Sequence, residues 1–295
     1  MPLAFGPAAR VTNGTLAFSV LTWNTFGAAQ GPISFLRWRG VLDAHRYDHP
    51  DVRRTLGEAD VACMQELYLS EAEQFFDALG HASKERDHNR NTLSPLAFGG
   101  SGLGVATHGR IASHARRAFL PPHVHSERFA RKGMMHVCVE IDGAFVDVVN
   151  THMQSGTGLA ARIIRKRQLD EIRRFTLDVG RSGAPMIVCG DLNIDGLSRG
   201  GRAEYAEIAR ALAGFVDLGA RTDDVTYDTE NNALARRHAP DEPPQRLDYM
   251  FVADPRAVLE VEAIERVFHV ALESSERPRT FASDHYAIKA RFKVR

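Results

Sequence analysis

The chain has 295 residues with 37 basic and 37 acidic side chains, so its formal net charge at neutral pH is zero. That length suits one large domain or two ordinary ones, and the balanced charge supplies no overall positive field to gather a long polyanion such as DNA. Cys63, Cys138 and Cys189 each fall inside an apolar run, which reads as small buried side chains rather than a disulfide framework or a cysteine metal site.

Residues Met1 to Arg10 lack the basic start and apolar core of a secretion signal, and no run approaches the length of a bilayer span. A cytoplasmic or peripheral-membrane setting is expected. The first predicted strand covers 16–23 and leads into Thr22-Trp23-Asn24. An irregular stretch, 27–50, then holds Ile33, Phe35, Leu36, Trp38 and Tyr47, which either pack on the body or face lipid. The second strand, 61–65, delivers Gln65-Glu66, and Ser70 with Glu73 three residues on reads as the capped start of a helix burying Ala72, Phe75, Phe76 and Leu79. A polar, turn-rich stretch, 84–100, follows. Its Gly99-Gly100-Ser101-Gly102 end lacks the Lys-Ser/Thr and helix of a nucleotide loop.

Strands are next expected at 102–107, 133–141 and 144–151, the second opened by Lys132-Gly133 and the third closed by Asn150-Thr151-His152-Met153-Gln154. A helix over 160–179 buries Ile164, Leu169, Ile172 and Phe175 and turns Arg165, Lys166, Arg173 and Arg174 to solvent. The strand 185–189 runs into Gly190-Asp191-Leu192-Asn193. Strands at 247–252 and 286–293 are introduced by Arg246-Leu247-Asp248 and Ser283-Asp284-His285. No repeat, low-complexity tract or long linker divides the chain, so a single domain, 1–295, with its core over about 16–293, is expected.

Every polar residue in these motifs stands where an apolar run gives way to a loop. Alone, Asp191, Asn193, Asp248 or Asp284 is a turn former or cap, Glu66 a charge ahead of a helix, and His152 a satisfied buried imidazole. In the order Asn24, Glu66, His152, Asp191-x-Asn193, Asp248, Asp284-His285 they resemble the endonuclease/exonuclease/phosphatase superfamily of divalent-metal phosphoesterases, over roughly Leu16 to Phe292. Ala130-Arg131-Lys132-Gly133, Thr151-His152-Met153-Gln154 and Thr226-Tyr227-Asp228 with Asn232 are similar to motifs of its neutral sphingomyelinase branch. The resemblance implies an α/β fold, a four-layer α/β sandwich of two packed mixed sheets flanked by helices, DNase I-like. It also implies Lys132, Gln154, Asp228 and Asn232 as substrate-binding residues.

Hydrolysis of a phosphodiester needs neutralised phosphoryl oxygens, an oriented water and a proton for the leaving group. Glu66 is the expected ligand of Mg²⁺, or of Mn²⁺ or another divalent cation, with Asn24 supporting the metal or a phosphoryl oxygen and Asp284 a second contact. Asp191 is expected to hold the attacking water, and Asn193 to donate to the developing charge. Asp248 orients His285, while His152 serves as general acid; which histidine is acid and which is base stays open. The remaining histidines, His238 among them, lack ligand spacing.

The expected activity is phosphocholine release from a sphingolipid, by sphingomyelinase-like phospholipase C chemistry at a membrane surface. Trp38, Tyr47 or Tyr227 would face the quaternary ammonium. DNase-like cleavage of nucleic acid, a lipid or inositol phosphate phosphatase, and an inactive scaffold on the same fold are the alternatives. No stable protein partner is implied.

Overall fold

Nearly every central strand of this protein is apolar on both faces, and the reason is that two sheets stack on each other while helices cover their outer sides. The structure is a computed structural model describing residues 16–27, 44–87, 100–124, 130–221, 224–273 and 280–295. The strands are β1 (Ala17–Asn24), β2 (Val61–Gln65), β3 (Ser83–Arg86), β4 (Gly104–Thr107), β5 (Arg110–Ala118) and β6 (Gly133–Ile141). They continue as β7 (Ala144–His152), β8 (Met186–Asp191), β9 (Val216–Asp217), β10 (Asp248–Ala253), β11 (Leu259–Val267) and β12 (Ala287–Val294). The helices are α1 (Pro50–Gly57), α2 (Ser70–Asp77), α3 (Leu159–Val179), α4 (Arg202–Ala211) and α5 (Ala233–His238).

The strands form two six-stranded sheets, ordered β11-β12-β1-β2-β4-β3 and β5-β6-β7-β8-β10-β9. Strand alternation sends Val20, Cys63, Val148 and Cys189 into the layer between the sheets, where they meet Val105, Val137 and Met250. Their neighbours Leu21 and Met64 point the other way, against Leu56 of α1 and Phe75 and Phe76 of α2. On the second sheet, Val149 and Val188 pack against Leu169, Ile172 and Phe175 of α3. The four layers of the expected sandwich are therefore present, and all three cysteines are buried and unpaired.

Register explains how the sheets present chemistry. The pairs β1/β2 and β7/β8 are parallel, with Asn24 opposite Gln65 and His152 opposite Asp191. The strand β10 runs antiparallel to β8 with Asp248 opposite Asp191, and β12 runs antiparallel to β1. Carboxyl ends of four strands and the starts of two others thus meet at one end of the sandwich. Beneath that end, Gln65 donates to Asn150 Oδ1 at 2.7 Å, and Asn150 Nδ2 donates to the Met64 and Gly104 carbonyls, so a buried polar bridge links the sheets.

Several local expectations change. Leu69, not Ser70, is the N-cap of α2, without a side-chain cap; its N–H donates to the Gly27 carbonyl, and Ser70 Oγ turns to Glu71. Arg165 does not face solvent. Its guanidinium is buried, donating to both Glu204 oxygens at 2.9 Å and to the Gln154 and Gly156 carbonyls, because α4 packs beside α3 and supplies the carboxylate. The strands β3, β5, β9 and β11 and the helices α1, α4 and α5 add to the expected elements. The edge strands β5 and β11 are largely exposed. The residues Ile33, Phe35, Leu36 and Trp38 lie outside the described residues.

Candidate active site

Asp191 stands at the centre of the constellation. Gly190 before it has φ 137°, and a Cβ there would lie 1.9 Å from the Thr151 carbonyl oxygen, so only glycine lets β7 and β8 close at this point. Asp191 Oδ1 accepts from the Asn193 N–H at 2.8 Å, which folds the chain back in a left-handed turn at Asn193, φ 53°. Asp191 Oδ2 accepts from Asn24 Nδ2 at 3.0 Å and lies 3.3 Å from His152 Nε2 and 3.9 Å from His285 Nε2. Burial alone would raise this carboxyl; the charges of His285 and His152 outweigh it and hold Asp191 ionised, far below the usual carboxylate range.

Glu66 leaves β2 in the left-handed region, φ 62°, a conformation costing a non-glycine residue roughly 1–2 kcal/mol. The turn aims its side chain, 17% exposed, at the same space. Glu66 Oε1 accepts from Asn24 Nδ2 at 3.2 Å and lies 3.9 Å from His152 Nε2, while Oε2 has no protein donor among the described residues. Asn24 is held the other way round from a ligand. Its Oδ1 accepts the Phe26 N–H at 3.0 Å, which fixes the amide nitrogen toward Glu66 and Asp191. An amide nitrogen does not ligate a cation, so in this arrangement Asn24 spaces the two carboxylates instead of contacting a metal.

His285 Nδ1 lies 2.8 Å from Asp248 Oδ2, leaving Nε2 toward Asp191. Burial would lower the imidazole, but the Asp248 and Asp191 charges raise it well above its ordinary value. On the other flank, the nearly buried Lys132 places Nζ 2.7 Å from His152 Nε2 and donates to the Met153 carbonyl at 2.9 Å. His152 Nε2 can accept from Lys132 or donate to Asp191, but not both, so the three groups form one proton-sharing chain. Asn193 Nδ2 donates one proton to the Met153 carbonyl at 3.0 Å, with a second left for a ligand.

Other expected site residues serve the framework. Gln154 is fully buried, and its side chain exchanges hydrogen bonds with the Val124 backbone. Asp228 accepts from the Glu230 and Asn231 N–H groups and the Asn231 side chain, closing its own turn. Asn232 N-caps α5. None of the three is placed as a substrate contact. Tyr47 stacks on Phe75 with its hydroxyl on the Thr25 carbonyl, inside the core. Tyr227 is at the site, its ring 5.0 Å from His285, although nearly buried.

Asp284 faces His238 Nδ1 at 2.9 Å. His238 lacks ligand spacing in the sequence and stands 46 residues away, at the end of a six-residue helix. Thr226, the first residue of the Thr226-Tyr227-Asp228 motif, accepts at Oγ1 from the Leu247 and Asp248 N–H groups and so sets the start of β10.

Ligand atoms of Asp191, Asp248 and His285 fall within 4.8 Å of one another. The Asp248–His285 hydrogen bond uses His285 Nδ1 and Asp248 Oδ2 and leaves the buried Asp248 Oδ1 without a partner, so this group and the spare oxygen of Glu66 both offer donors to a hard divalent cation. Mg²⁺ accepts one or two carboxylates and completes its shell with water and substrate oxygens.

Two stacked mixed sheets that bring carboxylates, carboxamides and imidazoles together at their strand ends define an α/β-sandwich site of hydrolase type. The chain belongs to the Endonuclease/Exonuclease/phosphatase family, which matches residues 21–285. It is 24% identical over 139 residues to sphingomyelinase C of Bacillus cereus, covering 44% of this chain and 41% of that protein, so the match spans less than half of that relative. In structure it is similar to beta toxin of Staphylococcus aureus, with TM-score 0.73, 20% identity and coverage of 92% of this chain and 99% of that one. It is also similar to D. rerio TDP2 complexed with single strand DNA product, with TM-score 0.70, 17% identity and coverage of 94% and 98%. A further beta toxin structure, of a mutant form at TM-score 0.67 and 19% identity, covering 92% of this chain and 98% of that one, holds bound magnesium ions.

Proposed function

We propose that this protein is a divalent-metal-dependent phosphodiesterase of phospholipase C type that releases phosphocholine from sphingomyelin at a membrane surface. The observation that carries the hydrolase reading is the convergence of Glu66, Asp191, His152, Lys132 and the His285–Asp248 pair within hydrogen-bond or near-hydrogen-bond distances. The sphingolipid substrate is supported by the sphingomyelinase relatives and by the zero net charge of the chain. The bound magnesium of a beta toxin structure supports the choice of ion.

A cation held by Glu66 would neutralise phosphoryl oxygens as a Lewis acid. The protein does the rest. Asp191, held ionised, orients and polarises the attacking water, whose proton passes to solvent, while His285, fixed by Asp248, donates to a phosphoryl oxygen whose charge grows in the transition state. The Lys132–His152 pair returns a proton to the departing oxygen. Asn193 directs its spare amide proton at the same charge.

DNA cleavage is the competing reading, favoured by the similarity to the DNA-bound TDP2 structure. Sphingomyelin vesicles and supercoiled plasmid, each with Mg²⁺ and with chelator, separate the two. The proposal expects chelator-sensitive phosphocholine release and little nicking.

A further inference from the structure

Asp284 is almost completely buried, and its Oδ2 lies 2.9 Å from His238 Nδ1. The helix α5 that ends in His238 begins at Asn232, whose Oδ1 accepts from the Leu234 N–H and whose Nδ2 donates to the Ser283 carbonyl at 2.8 Å and the Asp284 carbonyl at 3.3 Å. This short helix therefore grips the Ser283–Asp284 turn twice, the Asn232 side chain holding its backbone at one end and the His238 side chain its carboxylate at the other.

The gripped turn carries His285. The His285 N–H donates to Ser283 Oγ at 3.1 Å, and that hydroxyl donates to the Asn24 carbonyl at 2.7 Å, which ties the turn to β1. Tyr227 fills the space between the two imidazoles, its ring centroid 5.0 Å from His285 and 6.2 Å from His238. On its far side His238 stacks on Phe26 at 5.4 Å. Arg46 holds Phe26 in turn, donating to its carbonyl at 2.7 Å and covering its ring. A row of rings, Phe26, His238, Tyr227 and His285, thus runs along one wall of the site.

We infer that His238 is a positioning residue for His285, acting through Asp284, and that Asp284 is the anchor of this clip instead of a metal ligand. The 2.9 Å contact of Asp284 Oδ2 with His238 Nδ1 supports this, because turning that oxygen toward a cation would break it. In kinetic terms the inference rests on the phosphodiesterase reading above; in structural terms it does not.

The test compares the full chain with its His238→Ala, His238→Asn and Asp284→Asn variants, using bis(p-nitrophenyl) phosphate with a Mg²⁺ titration and the imidazole ¹H–¹⁵N correlations of His285. Asparagine places an amide donor near the position of Nδ1, so it can keep the bond to Asp284. His238→Ala should lower kcat about tenfold, the scale of a lost outer partner, with KM and the Mg²⁺ midpoint little changed. His238→Asn should restore most of that loss, and the His285 correlations should shift in the alanine variant and not in the asparagine one. Unmoved His285 correlations in His238→Ala, or no rescue by asparagine, would overturn the inference. So would a Mg²⁺ midpoint raised tenfold or more in Asp284→Asn. If the wild type leaves the ester intact, the phosphodiesterase reading falls and the His285 correlations alone decide the positioning role.

Discussion

Asp191 accepts hydrogen bonds on both oxygens and still lies within 4 Å of two imidazoles, so its charge organises the site and removing it disorganises several partners together. Glu66 is different, because one of its oxygens is unclaimed. Glu66→Gln should therefore keep the fold and raise the Mg²⁺ concentration needed for half-maximal rate, and an unchanged midpoint would move the metal elsewhere. His152→Ala and His285→Ala should each lower the rate by on the order of 10²–10⁴, the usual scale for one positioned proton-transfer group. A large fall in melting temperature with little loss of rate would mark them as core histidines. The identity of these residues was legible because each ends or begins an apolar run. Their orientations were not, since the Phe26 N–H that turns the Asn24 amide away from ligation, and the Val124 backbone that occupies Gln154, are set by loops with no periodic signal.

His81 offers a residue-scale test of stability instead of chemistry. Burial lowers its imidazole to about 4; Nε2 pairs with the Ala59 carbonyl, and Nδ1 is buried without a partner. The unfolded chain binds this proton near pH 6.5 and the folded chain only near 4, so the neutral imidazole's contribution is complete above about 6.5 and is lost as pH falls toward 4. The span corresponds to roughly 3 kcal/mol at most. Denaturant unfolding at pH 7 and pH 4.5 should show a smaller acid loss in His81→Gln than in the wild type. Equal losses would show that His81 is not the group responsible.

Among the elements, β7 and β8 matter most because their parallel register sets His152 against Asp191. Gly190→Ala puts a methyl against the Thr151 carbonyl and forces that register open. It should cost at least the 1–3 kcal/mol typical of overpacking, together with most of the activity, measured as a drop in melting temperature and in kcat. Full activity at wild-type stability would contradict the close approach. Apolar runs made the central strands and α3 readable. The edge strands β5 and β11, exposed along most of their length, carry no such period, and the inward turn of Arg165 depends on Glu204 from α4, a partner 39 residues away that no helical pattern of α3 can reveal.

On the scale of the whole molecule, the sandwich fixes one end as the place where chemistry collects, and the family membership agrees with the order of motifs along the chain. Among the described residues no helix is long and apolar enough to cross a membrane. The substrate was the least legible feature. It depends on loops around the site, and two of the residues expected to recognise choline, Tyr47 and Trp38, lie respectively in the core and outside the described residues. Hence the most direct test of the account is phosphocholine release from sphingomyelin vesicles by the purified chain with Mg²⁺, run beside plasmid nicking under the same conditions. The account predicts phosphocholine release that chelator abolishes and that Asp191→Asn lowers by several orders of magnitude, with the plasmid left supercoiled. Efficient nicking with no phosphocholine released would contradict it.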